Sequence, residues 1–225
     1  MFVRIEVWPF LAVALGLALL LWAGLRFLRV PQRKAFRVSG LLLLMLGGYL
    51  LYFFRNPDRH APADPNLIVA GADGTIMSVT PCIEPLFLKT NCVRVSTFLS
   101  LFDVHVNRAP MDGTLIFAKY YAGKRFFTFQ EKSSLFNQHS SLLFTNASTR
   151  CLVQQIVGPV ARRVVFWNEP GDMVHKGDPI GMMKFGSRLD VYLPADEVNV
   201  AVARGDKVRA GETIIARLRT EKPGP

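Results

Sequence analysis

The chain has 225 residues, half of them hydrophobic, and a formal net charge of +10. That length holds one medium domain with extras, and its apolar residues are too unevenly spread for either a plain soluble domain or a polytopic membrane protein. Three cysteines (Cys82, Cys92 and Cys151) exclude a full disulfide framework, and neither they nor His60, His105, His139 and His175 show metal-ligand spacing, so buried thiols and no metal are expected.

The first element is apolar. Val7 to Leu25 carries no charge; as a helix these roughly 19 residues reach about 28 Å, close to a bilayer core. It lacks a small-residue cleavage site, and a second apolar run comes after it, so it does not read as a removed signal peptide. That second run, "SGLLLLMLGGYLLYFF", is nearer to 16 residues, short for a span and compatible with a tilted or re-entrant segment. Between them "RFLRVPQRKAFR" holds five basic residues and no acid. Residues 1–54 therefore read as a membrane-anchoring hydrophobic helical hairpin. The basic loop leans towards a cytoplasmic loop, with Arg4, Arg55 and Arg59 opposing it.

"RNPDRHAPADPN", residues 55–66, is polar and proline-rich and reads as a linker. From residue 67 onward the runs are short, alternating and broken by Gly, Asp, Asn and Pro: "LIVAGADGTIMSV", "NCVRVSTFLS", "VHVNRAPMDGTLIFAKYY", "SSLLFTN", "RCLVQQIVG", "RRVVFW". No long amphipathic helix interrupts them. The expectation is a mainly β, antiparallel domain over 67–225. Lys119, Lys124, Arg125, Lys132, Arg162 and Arg163 give it a basic character. Beside two apolar runs, that charge suits anionic lipid headgroups, and there is no nucleic-acid motif.

Two internal echoes refine the fold. Asp73-Gly74-Thr75-Ile76 is matched by Asp112-Gly113-Thr114-Leu115, and "GDMVHKGDPI" (171–180) by "GDKVRAGETI" (205–214). In the second pair Gly supplies positive-φ turn positions, and Val and Ile the buried strand positions. Such repeats build the flattened β-sandwich of lipoyl and biotinyl carriers, which display a Lys between the repeats; Lys184 is the candidate here.

Between the repeats lies "MMKFGSRLDVYLP", which reads as a last strand and corner with Gly186-Ser187 inside it. No G-x-S-x-G elbow and no subsequent helix accompany Ser187. Gly-Ser has another chemistry. The Ser hydroxyl can attack the carbonyl before it and turn the amide into an ester, and Gly leaves the approach open. β-Elimination then splits the chain, and loss of ammonia from the new terminus leaves a pyruvoyl group, an electron sink built from the chain itself.

"FGSRLDVYLP", with "FFRNP", "AGADGTI", "FLSLFDVHVNRAPMDG" and "GPVARRVV", resembles the phosphatidylserine decarboxylases in their short form, from Tyr52 to about Leu218. The resemblance implies a pyruvoyl-dependent enzyme self-cleaved between Gly186 and Ser187 into a β chain and a small α chain. It would convert phosphatidylserine to phosphatidylethanolamine through a Schiff base, at the inner membrane with its domain on the cytoplasmic face. A homo-oligomer, often a dimer in the family, is the assembly implied. Residue by residue, Ser187 becomes the pyruvoyl group, Asp73 matches the D-G acid, and His105 matches the first His of F-L-S-x-x-D-Y-H-R-V-H-M-P. The second His of that motif, the partner of Asp and Ser in self-cleavage, falls on Arg108. His105 is assigned to the proton delivered after carbon dioxide leaves, and Arg188 to charge near the ester or the lipid phosphate. Two rival readings remain: an uncleaved membrane-anchored lipoyl-like binding module, and a Ser peptidase using Ser187, His105 and Asp73.

Overall fold

The computed structural model describes residues 2–123, 137–158, 164–184 and 187–219. Lys124, Arg125, Lys132, Arg162, Arg163 and Gly186, all named above, lie outside them. The chain divides into two compact units, Met1–Asp58 and Arg59–Pro225.

In the first unit a short strand β1 (Phe2–Val3) leads to helix α1 (Trp8–Phe27), then α2 (Gln32–Phe53) and strand β2 (Arg55–Asn56), which pairs back on β1. The helices carry buried small residues, Ala14 and Ala18 on one, Ala35 and Ser39 on the other. Residues four apart share a helix face, and small ones let backbones approach closely, as they do between helices in lipid. The large apolar side chains Leu15, Leu19, Leu20, Leu41 and Leu44 point outward. The second helix is longer than its apolar run: it starts just after Pro31 and takes Arg33, Lys34 and Arg37 into its first turns. The run expected to be short for a span, whether tilted or re-entrant, is part of a full 22-residue helix. Proline suits a helix start, because its missing N–H would have no partner there anyway. Both helices are long and apolar enough to cross a bilayer.

The second unit is mainly β. Its strands are β3 (Leu67–Val69), β4 (Gly74–Glu84), β5 (Thr90–Leu99), β6 (Val106–Arg108), β7 (Gly113–Tyr121), β8 (His139–Thr145), β9 (Arg150–Val157), β10 (Val164–Phe166), β11 (Met173–Val174), β12 (Pro179–Met183), β13 (Ser187–Pro194), β14 (Val198–Val200), β15 (Lys207–Val208) and β16 (Ile214–Leu218). They form an eight-stranded curled sheet, β11-β7-β8-β9-β13-β5-β4-β15, with two three-stranded sheets, β10-β12-β6 and β14-β16-β3. Every pairing is antiparallel among the described residues. The core these strands enclose includes Ile76, Val95, Leu115, Phe144, Val153, Leu189, Val191 and Leu193. "MMKFGSRLDVYLP" is not the last strand: it spans the end of β12 and all of β13, and three more strands come after it.

The sequence echoes are structural equivalents. Val174 pairs with Gly113 as Val208 pairs with Gly74. Gly171 N donates to Leu115 O at 2.8 Å, and Gly205 N to Ile76 O at 2.9 Å. Asp112 accepts from Lys176 N at 2.9 Å, and Asp73 from Ala210 N at 2.7 Å. The repeat glycines 171, 177, 205 and 211 all have positive φ, as the turn pattern required. The segment read as a linker is tied down from residue 59 on: Arg59 pairs with Asp73 at 2.7 Å, and buried Lys176 donates to Asp64 O at 2.5 Å. Lys184 lies directly after β12 and leads towards β13.

Gly74 shows how tightly the repeats close. A Cβ there would lie 2.0 Å from Phe98 O, whereas at Gly171, with φ +107°, nothing lies within 4 Å. Gly74→Ala is expected to cost about 3 kcal/mol or to prevent folding, and Gly171→Ala about 1 kcal/mol from backbone strain alone. Urea titration of the detergent-solubilised chain reads the difference, and equal losses would contradict the close approach at Gly74.

Candidate active site

Strand β13 is central. Ser187, its first residue, pairs with Leu99 of β5 on one side and Val157 of β9 on the other. All eight of its residues are buried. The backbone of such a strand is held by a neighbour on each side. The Ser187 hydroxyl is fully buried and has no hydrogen-bond partner among the described residues. A buried polar group without a partner costs about 1–3 kcal/mol, so a native one calls for an explanation.

The neighbouring strand leads to the second group. From Leu99, the partner of Ser187, the chain makes a tight turn and returns as β6. Asp103 clamps that turn: its carboxylate accepts from Ser100 N at 2.7 Å, and its own N–H donates to Ser100 O at 3.1 Å. His105 comes two residues later, fully buried, with Nδ1 2.9 Å from Asp103 O. A carbonyl oxygen can only accept, so in the neutral ring Nδ1 carries the proton and Nε2 the lone pair. The His105 carbonyl in turn accepts from Met183 N at 3.2 Å. Met183 lies four residues before Ser187, so His105 is tied to the approach to β13 on one side and to the β5 turn on the other.

A buried polar line runs on from β6. Asn107, two residues after His105 and so on the same face of the chain, accepts through Oδ1 from Gln155 Nε2 at 2.7 Å. Gln155 Oε1 accepts from Ser140 Oγ at 2.5 Å. All three residues are fully buried. Gly181 makes room for them, since a Cβ there would sit 2.9 Å from Gln155 Nε2 and 2.4 Å from Val165 O. Asn137 adds a donor to Val157 O, on the strand partner of Ser187, at 3.0 Å. None of these polar residues stands out in the sequence. The signal available was Gln154-Gln155 inside the otherwise apolar run of β9, and the two-residue spacing of His105 and Asn107.

Asp73 belongs to a different set of contacts. Its carboxylate accepts from Ala210 N and from Arg59 Nη2, both at 2.7 Å. Arg59 also bridges to Glu212 at 2.8 Å. Burial raises the Asp73 pKa, against the pull of Ala210 N–H and Arg59. Arg108 lies near the same charged cluster and donates to Gly177 O at 2.7 Å; burial and the Arg59 charge lower its pKa. Thr75, two residues after Asp73, pairs with Phe98, which pairs with Arg188. The backbone near Asp73 is therefore two strand spacings from β13, about 9–10 Å. Asp112 makes the matching backbone contact in the other repeat, so closing the turn accounts for half of what the Asp73 carboxylate does.

Arg188 is committed to the interior. Its side chain is buried and donates to both oxygens of Asp190, at 2.7 and 2.8 Å, and to Ser96 Oγ at 3.1 Å. That bidentate pair satisfies a charge placed inside a sheet. Its guanidinium, expected near the ester or a lipid phosphate, is engaged here by an internal ion pair.

A buried, strand-initial serine and a tautomer-fixed histidine thus lie at adjoining strand ends in a β-domain preceded by an apolar helical hairpin. The phosphatidylserine decarboxylase family profile matches residues 46–216. Proteins named phosphatidylserine decarboxylase proenzyme are similar along most of their length. The one from Carboxydothermus hydrogenoformans is 41% identical over 80% of this chain and 84% of its own. Those from Syntrophotalea carbinolica and Amoebophilus asiaticus are 38% and 37% identical over 96% and 95% of this chain, and 97% and 92% of theirs. Fold, site and relatives together define a β-domain decarboxylase with an apolar N-terminal hairpin. The chain belongs to the phosphatidylserine decarboxylase family.

Arg188→Ala would take from buried Asp190 its bidentate partner, at a cost of about 3–5 kcal/mol. Arg188→Met combined with Asp190→Leu removes both charges and is expected to stay within about 1–2 kcal/mol of wild type. Thermal melts of the two variants test this, and a stable Arg188→Ala chain would show that the pair is not needed for folding.

Proposed function

We propose that the protein decarboxylates phosphatidylserine to phosphatidylethanolamine at a pyruvoyl group made from its own Ser187. The observation that carries the reading is the buried, unpartnered Ser187 hydroxyl at the first position of the central strand. In processing, Ser187 Oγ attacks the Gly186 carbonyl carbon, the C–N bond breaks, and an ester and a free amine result. Removal of the Ser187 α-proton expels the Gly186 carboxylate. The remaining enamine, as its imine tautomer, takes up water and releases ammonia, which leaves a ketone.

The residues present fit that group. The site is buried, Asn137 and the Val157 backbone hold its flank, and an imidazole lies just past the adjoining strand. When formed, the pyruvoyl group supplies an electrophilic carbonyl that takes up the substrate amine and holds the electron pair released with carbon dioxide. His105, after taking up a proton from solvent on its Nε2 lone pair, delivers that proton to the substrate α-carbon, worth roughly 10²- to 10⁴-fold in rate. Its Nδ1 bond to Asp103 O keeps the ring oriented between turnovers. Substrate and membrane surface are the partners of this reading, together with the two chains of one precursor.

Wild-type protein should run as two pieces on a denaturing gel, the smaller holding 225 − 186 = 39 residues and starting with a ketone that reacts with hydroxylamine. Ser187→Ala should give one uncut, inactive chain. A single intact wild-type chain that is active and carries an ordinary serine at 187 would overturn the mechanism.

His105→Ala should still yield two pieces while decarboxylation of phosphatidylserine falls by about 10²-fold or more. An uncut His105→Ala chain would instead make His105 the base for processing.

A further inference from the structure

We infer that the turn between β5 and β6 is a membrane wedge, with Leu101 and Phe102 entering the interfacial layer of an anionic phospholipid surface beside the Ser187–His105 site. The inference rests on the lipid reading above and adds to it the element that brings the buried site to the depth of the headgroups.

The two side chains are 45% and 67% exposed, at the tip of the turn. The turn is braced from both ends. Asp103 clamps it through Ser100 N, and Phe102 N donates to Ser100 Oγ at 3.4 Å from within. Its ends are the site: Leu99 is the strand partner of Ser187, and the His105 carbonyl accepts from Met183 N. Two large apolar groups held outward on a clamped turn mark a contact surface, since packing elsewhere would have been served by a turn that folds them inward.

The surface beside the turn continues the pattern. A shallow hollow of about 300 Å³ is lined by Thr75, Ile76, Met77, Phe98, Arg204 and Gly205, and Phe98 lies three residues before Leu101. Its lining is mostly apolar and includes the exposed Arg204. Apolar groups with a cation beside them complement acyl carbons below phosphates. Both helices of the hairpin are long and apolar enough to hold the same chain at a bilayer. A lipid surface, and not a second protein, is therefore the occupant.

The experiment compares long-chain phosphatidylserine in vesicles with a short-chain phosphatidylserine kept monomeric in solution. The full-length Leu101→Ser/Phe102→Ser chain should be cut normally, lose about tenfold or more in activity on vesicles, and stay within about twofold of wild type on the monomeric lipid. Unchanged activity on vesicles, or equal loss on both substrates, overturns the wedge. Failure of wild type on both substrates overturns the lipid reading itself. Contact is then read without activity, with Trp8, Trp22 and Trp167 changed to Phe and the chain in nanodiscs of brominated lipid. In that background Phe102→Trp should be quenched and Ile83→Trp should not, because Ile83 is similarly exposed at the opposite end of β4 and β5. Equal emission of the Phe102→Trp chain in brominated and plain nanodiscs overturns the wedge.

Discussion

The two-sided pairing of β13 is the constraint on which the site depends. From Ser187 to Tyr192 each residue has a partner on β5 and another on β9. A strand held on both flanks keeps its place without a covalent link at its start. Of the later strands, β16 is flanked by β14 and β3, and β15 pairs with β4 on one side. Every strand after residue 186 is thus bonded, directly or through a neighbour, to a strand before it. On the proposed function this makes a break before Ser187 tolerable, because the small chain is woven into the large one. The buried residues Leu189, Val191 and Leu193 add apolar area that would have to be exposed for the pieces to part.

The repeats frame the site and differ in what adjoins their turns. The two halves share the Asp-Gly turn, the positive-φ glycines and the backbone bonds between them. In one, Asp73 is held by Arg59, and Glu212 completes the ion pair. In the other, Asp112 is half exposed, and His175 Nδ1 lies 3.7 Å away. The ion-pair cluster of Asp73, Arg59 and Glu212, with Arg108 near it, therefore reads as an interior tie between repeats. It holds Asp73, the acid of the Asp-Gly turn, and sets a cation at 108. An arginine cannot accept a proton from a serine at any ordinary pH. On the proposed function, that leaves Arg108 out of any proton relay and assigns the proton chemistry to His105.

The β character, the hairpin and the repeat were legible because each rests on local periodicity: apolar runs without charge, alternation between turns, and glycines at fixed offsets. Ser187 and His105 can be nominated only through the motifs around them, since a lone Gly-Ser or a lone strand His carries no signal of its own. What the sequence concealed depends on pairing between distant segments. Arg188 beside a Gly-Ser site reads as a charge for the ester or a lipid phosphate, and only the register of β13 on β5 brings Ser96 to it beside Asp190. Asn107, Gln155 and Ser140 come from three strands, and no spacing along the chain predicts that they touch. The second helix was cut short because the apolar run was counted and the basic turn before it was not.

Burial of the Ser187 hydroxyl without a partner has a consequence for timing. An enzyme nucleophile used at every turnover needs a base held in hydrogen-bond reach, because each cycle must repeat the proton transfer. A residue consumed once has no such need, and the slow loss of a single proton suffices. On the proposed function, the cost of an unpartnered buried hydroxyl destabilises the uncut precursor relative to the cut product, and the fold bears it only until the chain breaks. The histidine serves the opposite schedule. Its Nδ1–H is tied to the Asp103 backbone carbonyl, so on the proposed function the Nε2 lone pair would return to the same place after every turnover. On the proposed function, a site made once and used many times rests on two groups, one left unsatisfied and one oriented by the backbone.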